Sequence, residues 1–491
     1  MPGVSEDVKK ELTRLNDLML QAREDFVHII SKVHSSQFKS ACNLLHYLSL
    51  RSIDIRGLQD QLHEYGLSSL ASSESHIRSQ LLAILDRIDV AKEEEAEITY
   101  EDSKQILKQR ANELFGSCDD SDIPFIMITF DSSYAVDYST VKDLLKSGMN
   151  VARINCSHDD EATWLRMVKQ VRKASTDTGI SCKIYMDLPG PKIRTYLPKK
   201  KKGKARVKVK EGDTIWLTEE HLASKKKRMI GWTLFGMTSQ LKEGERVLID
   251  DGMIETRITN IQEGFVQLEV LRVSSRKPFI KSEKGINLPD SELSIPALTN
   301  YDLKCLSFIQ EHADIVGYSF VHNASELLKL QEAMAIKKLP VILKIETSEA
   351  VKNLPDLLFQ GMYEQVFGVM IARGDLAVEI GFERLSEIQE EILWICEAGH
   401  VPVIWATQVL ESLNNSGIAT RSEVTDAAHA IMAECVLVNK GLHIVEVIKA
   451  LKDILLRSGR HHAKKRYTFR PLSIAQRFMK RQPIHTYQPS S

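Results

Sequence analysis

Two carboxylates, two cations and a glycine fall at short spacings in the sequence. Lys344 and Glu346 stand two residues apart in VILKIE (341–346), and Arg373, Gly374 and Asp375 follow the apolar run VFGVMIA (366–372). In an extended strand, residues i and i+2 point to the same face, which sets the Lys344 ammonium beside Glu346. Glu346 and Asp375 offer the hard oxygen ligands that Mg²⁺ takes, with substrate oxygens completing its octahedron. An ammonium next to such a site can neutralise charge developing on a phosphoryl oxygen or an enolate. Arg153 adds a planar fork suited to phosphate, and Gly374 a bare backbone that can approach a ligand carboxylate. Metal, Lys and Arg, without an obvious Ser/His/Asp or Cys/His nucleophile set, suit phosphoryl transfer or enolate chemistry. The sequence has no GxxxxGK[ST] and no strand-linked GxGxxG, so the P-loop and dinucleotide routes are unsupported.

These residues need elements that bring them together. Eight short apolar runs, at 124–130, 150–155, 183–188, 314–320, 341–346, 366–372, 401–407 and 434–440, are each followed by an amphipathic segment. Near-continuous apolar runs of this length are the pattern of buried parallel strands. Eight of them alternating with helices predict a (β/α)₈ barrel, with an open doubly wound sheet as the rival. A barrel's active site lies at the C-terminal strand ends. Those ends carry Arg153 with Asn155, then Asp187, Ser319, Lys344 with Glu346, Arg373 with Asp375, Thr407 with Gln408, and Asn439 with Lys440. Three cations facing three carboxylates is a stronger signal than any one ion pair, because burying such charges is costly unless they pair or bind ligands.

One strand-to-strand step, from Met186 to Gly317, spans 131 residues, whereas the other steps span 26 to 35. The excess predicts a domain inserted after the third strand, at 196–285, with β-rich segments and Glu-Gly and Asp-Gly turns. The barrel is expected at 121–195 and 286–456, a helical region at 1–120 and a basic tail at 457–491. The lysine run at 199–210 reads equally as a solvated face or as part of a lid over anionic substrate. The acidic run Glu93–Glu97 reads as a solvated face. The tail holds nine Lys or Arg and no acid; it reads as frayed or docked, with an anion-binding arm as the lesser alternative.

At 491 residues, 43% hydrophobic and 27% charged, the chain suits a soluble multi-domain protein, and a net charge of −1 gives no global attraction to nucleic acid or anionic lipid. Seven scattered cysteines without a CxxC pair point to reduced thiols. No secretory h-region and no stretch of about 18 uninterrupted apolar residues is present. A cytoplasmic protein, with no membrane and no nucleic-acid partner, is expected.

Across residues 123–455 the sequence resembles pyruvate kinase. The resemblance is carried in order by SGMNVARINCSH (147–158), MDLPGPKIRT (186–195), KGINLPDSELSIPALTNYDL (284–303), SFV (319–321), VILKIE (341–346), VMIARGDLAVEI (369–380), PVIWATQVLES (402–412) and TRSEVTDAAHAI (420–431). It implies conversion of phosphoenolpyruvate and ADP to pyruvate and ATP with Mg²⁺. Arg153 would contact the transferring phosphate, and Lys344 would stabilise it and the enolate. Glu346 and Asp375 would hold the metal, while Ala372, Arg373, Gly374 and Asp375 would cradle the substrate through their backbone, with Ser319 also on the substrate side. Thr407 would help deliver a proton to the enolate carbon. Asn155, Ser157 and Asp187 match the family's monovalent-cation ligands, and Arg194 a nucleotide-side arginine.

The chain departs from the family's pattern at several points. Lys192 stands where many members have Glu, which implies a fixed cation near the monovalent-cation site and no requirement for K⁺. Asn439-Lys440-Gly441-Leu442 replaces a Ser-Gly-Glu-Thr motif, Thr129-Phe130-Asp131-Ser132 replaces Thr-Ile-Gly-Pro, and His322 replaces an Arg. These changes fall toward the nucleotide side. The family's C-terminal regulatory domain is not matched, and a homodimer is expected. Two alternatives stand beside pyruvate kinase: another Mg²⁺-dependent pyruvate or enolate enzyme (an aldolase or a different phosphotransferase), and a regulatory protein that kept the barrel without its activity.

Overall fold

The computed structural model describes residues 4–88, 90, 94–117, 123–197, 206–219, 228–234, 236–275, 278–291, 293, 295–334, 337–459 and 471–480. Each of the eight apolar runs forms one strand: β1 (Phe125–Thr129), β2 (Val151–Asn155), β3 (Lys183–Asp187), β4 (Ile315–Tyr318), β5 (Val341–Ile345), β6 (Phe367–Ala372), β7 (Val403–Ala406) and β8 (Cys435–Val438). All neighbours are parallel, and β1 pairs with β8 to close the barrel. The closed (β/α)₈ barrel expected from the sequence is therefore present.

Period-two alternation sorts the strand side chains into two cores. Met127, Tyr185, Ile342, Met370, Ile404 and Leu437 share one buried cluster with Leu114 and Phe115. Ile126, Ile184, Leu343 and Val369 join the larger cluster formed with the surrounding helices. The first cluster fills the barrel, and the helix Tyr100–Phe115 contributes Leu114 and Phe115 to it. Gly317 on β4 supplies necessary space, because a Cβ there would collide with the Tyr185 hydroxyl and the Asp187 carboxylate.

Between β3 and β4 the chain builds a seven-stranded sheet and a two-stranded ribbon with their own apolar core, which includes Trp232, Ile215, Val247 and Val266. The long strands Ile254–Gln262 and Phe265–Val273 pair antiparallel around Gly264, which takes φ +73° at the turn. Of the lysine run, residues 199–205 lie outside the described residues, and Arg206–Lys208 is a strand.

The helical region before β1 docks on the segment leading into β7. Asn43 donates to Ala398 O at 2.9 Å, and Arg110 donates to Gly399 O and His400 O at 3.1 and 2.9 Å. His400 lies buried between Ser40 Oγ and Ser75 O, and burial together with Arg110 pulls it down to about 3, so the ring stays neutral. The acidic run differs from expectation. Glu94 and Glu97 are partly buried, Glu94 pairing with Arg78 and Glu97 with Arg23 and Arg78, because the helices Glu6–Asp25 and Ile77–Arg87 bring those arginines to one side. Glu93 lies outside the described residues. From the basic tail, the helix Ser473–Met479 packs Phe478 against Phe26 and Phe359; residues 460–470 and 481–491 lie outside the described residues. No helix among the described residues is long and apolar enough to cross a membrane.

Two stability outcomes follow from this packing. Leu114→Ala should lower unfolding free energy by about 2–5 kcal/mol in denaturant titration, as expected for a fully buried Leu; a loss below 1 kcal/mol would show that the helix does not seal the barrel. Burial also pushes Glu434 up to about 7, although its Oε2 accepts the Val403 N–H. Between its ordinary value of 4.5 and about 7 the folded chain keeps a proton that the unfolded chain has lost, so stability falls as pH rises through that window. Glu434→Gln should flatten this slope in unfolding curves measured from pH 5 to 8.

Candidate active site

The site begins at the end of β3 with Asp187, whose side chain is 1% exposed. A carboxylate so deep needs cations and hydrogen-bond donors. Arg153, on the neighbouring strand β2 and two residues out of register with Asp187, supplies Nε and Nη2 to Asp187 Oδ2 at 2.6 and 2.5 Å. The Tyr185 hydroxyl donates to Oδ1. Tyr185 shares a strand face with Asp187 at i−2, so the alternation could have flagged it, although the sequence reading did not. Arg153 also donates Nη1 to Thr129 Oγ1 at 2.9 Å on β1. Burial pushes the Asp187 carboxyl up, but Arg153 and Lys344 outweigh it and hold it below the ordinary carboxylate value.

Lys344 on β5 is also buried. Its Nζ donates to Ser319 Oγ at 2.7 Å, pairs with Glu346 Oε1 at 3.1 Å and lies 3.9 Å from Asp187 Oδ1. Ser319 passes the network on, donating to Leu188 O at 2.7 Å. Burial works against the ammonium, yet Asp187 and Glu346 together hold its affinity for the proton above that of a free lysine. Glu346 Oε2 accepts the Phe320 N–H at 2.7 Å. Phe320 has φ +55°, a left-handed conformation costly for a bulky side chain, and that turn aims its amide at the carboxylate. Gly190 permits the turn, since a Cβ there would lie 2.9 Å from the Phe320 ring.

At β6 and β7 the structure separates residues that the sequence grouped together. Arg373 does not face the mouth carboxylates. Its guanidinium donates to Ala406 O at 2.7 Å and Thr407 O at 2.6 Å, pairs with Asp426 and stacks 4.4 Å from the Trp405 ring centre. It pins the end of β7, because Asp426 arrives on the helix Arg421–His429. Thr407 is the product of that bracing. It holds φ +65°, and its buried hydroxyl has no hydrogen-bond partner among the described residues. For a β-branched residue this is a rare conformation of the kind that clusters at functional sites. The helix Arg373–Ile380 starts at Ala372 without a side-chain cap, so the first amides there are open to a ligand. A Cβ on Gly374 would reach Thr407 Cγ2 at 3.7 Å, which places that backbone beside Thr407.

The third cation is Lys192. It reaches Asp375, not Asn155, Ser157 or Asp187: Nζ donates to Asp375 Oδ1 and Oδ2 at 2.7 and 2.9 Å. Asn155 stands opposite Asp187 in the β2–β3 register, and its Oδ1 accepts the Ser157 N–H at 3.0 Å. Glu346 and Asp375 carry carboxylate oxygens of the kind a divalent cation takes. Burial, with the nearby Asp375 charge adding to it, pushes the Glu346 carboxyl above its ordinary value despite Lys344. A divalent cation between the two would relieve that repulsion. No cluster of three His, Cys, Asp or Glu occurs among the described residues, and two carboxylates plus substrate oxygens is a pattern Mg²⁺ uses.

Beside this network opens a cavity of about 320 Å³, lined in part by Thr129, Asp131, Arg153, Asn155, His158 and Lys440. His158 is held below its ordinary value by burial and by the positive charges of Lys440, Arg194 and Arg153. Arg153 and Lys440 line the cavity together with the carboxylates Asp131, Asp159 and Glu411. Arg194 belongs to the base of the inserted sheet, where it bridges Gly285 and donates to Glu283 O at 3.3 Å.

Residues 126–440 match the family described as "Pyruvate kinase, barrel domain". Among curated relatives, the pyruvate kinase of Staphylococcus saprophyticus is 33% identical over 326 residues, covering 64% of this chain and 53% of that protein. That of Geobacillus stearothermophilus is 31% identical over 327 residues, covering 64% and 53%. That of Encephalitozoon cuniculi is 31% identical over 333 residues, covering 66% and 73%. The match thus spans about half the length of the two bacterial relatives. With a closed parallel barrel and a family match over most of it, this chain belongs to the pyruvate kinase family.

Proposed function

We propose that the protein transfers the phosphoryl group of phosphoenolpyruvate to ADP, yielding pyruvate and ATP. The observation that carries this reading is the buried set Arg153, Asp187, Lys344 and Glu346, with cations and carboxylates drawn from β2, β3 and β5. In this reading the catalytic barrel is 121–195 and 286–456, the insertion 196–285 is a lid, 1–120 is a helical base, and 457–491 is a basic tail.

Arg153 presents its remaining edge to the transferring phosphate, held in place by Asp187 and Thr129. Lys344 keeps its proton and stabilises negative charge on the phosphoryl oxygens and then on the enolate oxygen. The open amides at Ala372–Asp375, with Ser319, position the substrate carboxylate. Thr407, with a free hydroxyl, helps deliver the proton that converts enolate to pyruvate. Glu346 and Asp375 would hold Mg²⁺, which when bound supplies positive charge to the phosphate oxygens. Arg194 and the cavity beside His158 and Lys440 receive ADP. K⁺ is dispensable in this reading, because the Lys192 ammonium supplies a fixed positive charge at the barrel mouth, where it is held on Asp375.

Phosphoenolpyruvate, ADP and Mg²⁺ should support NADH loss in an assay coupled to lactate dehydrogenase. Lys344→Met should lower kcat by about 10²–10³-fold while circular dichroism stays unchanged, since one preorganised positive donor is removed. Unaffected turnover would sink the mechanism; no turnover with ADP despite calorimetric binding of phosphoenolpyruvate would favour another enolate enzyme or a regulatory protein. Replacing K⁺ by Tris should leave the rate within about twofold, a change of less than 0.5 kcal/mol. Activity that vanished without K⁺ and returned with it would refute the dispensable-cation reading.

A further inference from the structure

Lys192 is placed with unusual definition for a lysine. Its side chain is 22% exposed, and both oxygens of Asp375 accept from its Nζ. The stem passes directly over Gly285, where a Cβ would lie 2.9 Å from Lys192 Cε. Gly285 is itself tied down: its carbonyl accepts from Asp250 N at 3.0 Å, and it bridges Arg194. On the other side, Asn287 donates to Glu379 Oε1 at 2.9 Å, joining the base of the insertion to the helix that carries Asp375. Lysine and carboxylate are thus both held where the inserted sheet meets the barrel.

That arrangement conflicts with a metal ion at the same carboxylate. Mg²⁺ binds oxygen at about 2.0–2.1 Å, and the ammonium already lies against both Asp375 oxygens. A divalent ion there would sit close to a like charge with little water between them. We propose that Lys192 is a tethered cation that competes with the divalent metal ion for Asp375, so that metal entry requires the ammonium to leave. The inference rests on the reading of Glu346 and Asp375 as the metal pair. Its consequence is a site that binds the free ion weakly, because the binding-competent arrangement must first be released from the ion pair.

Mn²⁺ alone, with no substrate, is a suitable probe, and the electron paramagnetic resonance signal of free Mn²⁺ reads its binding to the full chain. Lys192→Met keeps the stem and removes the charge. It should bind Mn²⁺ about five- to tenfold more tightly than the unaltered protein, the range expected for loss of a mostly buried ion pair. Adding Asp375→Asn should abolish the gain. If Lys192→Met fails to fold by thermal unfolding, Lys192→Gln makes the same comparison. Equal or weaker Mn²⁺ binding by the charge-removed variant overturns the competition while leaving the metal pair standing. Mn²⁺ binding that appears in none of these proteins, or that survives Asp375→Asn and Glu346→Gln together, overturns both.

Discussion

A carboxylate removed from water at the end of β3 is the constraint around which the barrel mouth is arranged. Asp187 cannot remain ionised there alone. Arg153 comes from β2, Lys344 from β5 and the Tyr185 hydroxyl from its own strand, while β4 gives up its side chain at Gly317 so that they can meet. Each cation in turn requires a second partner, which draws in Thr129, Ser319 and Glu346. The result is a row of charges whose positions are set before any ligand arrives. Such preorganisation is what allows charge to be stabilised without reorganising the site during reaction.

The two ends of the barrel solve opposite problems. One end is sealed with apolar groups, Leu114 and Phe115 closing the core inside the strands. The other is polar and held open by strained backbone at Phe320 and Thr407. Arg373 makes that strain sustainable, binding two carbonyls at the end of β7 and anchoring to Asp426. It acts on the site by positioning Thr407, without facing it. The inserted sheet meets this mouth at Gly285, over which Lys192 passes to reach Asp375, and at Asn287, which donates to Glu379.

Much of this was legible from local pattern. Parallel barrel strands are buried on both faces, so each reads as an unbroken apolar run, and all eight runs became strands. Lys344 and Glu346 were readable as neighbours because strand alternation alone puts them on one face. Asp375 was readable as a carboxylate at a strand end, but its partner was not, since Lys192 is 183 residues away in sequence. Arg373 was misread for the same reason: its partner Asp426 lies on a helix 53 residues later. The acidic run was read as solvated because nothing local reveals that Arg23 and Arg78 converge on it.

By itself, the sequence determined eight buried strands alternating with helices, the place of the insertion and the chemical types available at the strand ends. Those follow from apolar periodicity and from which residues end each run, both local properties of the chain. Closure into a barrel was decided by the pairing of β1 with β8. Only the tertiary structure decided which charge meets which. Ion pairing depends on distances between segments far apart in sequence, and several pairings satisfy the same composition equally well. Arg153, Lys344 and Arg373 were legible as a set facing Asp187, Glu346 and Asp375; that Arg153 answers Asp187, that Lys344 spans Asp187 and Glu346, and that Lys192 rather than Arg373 covers Asp375 was settled by the fold.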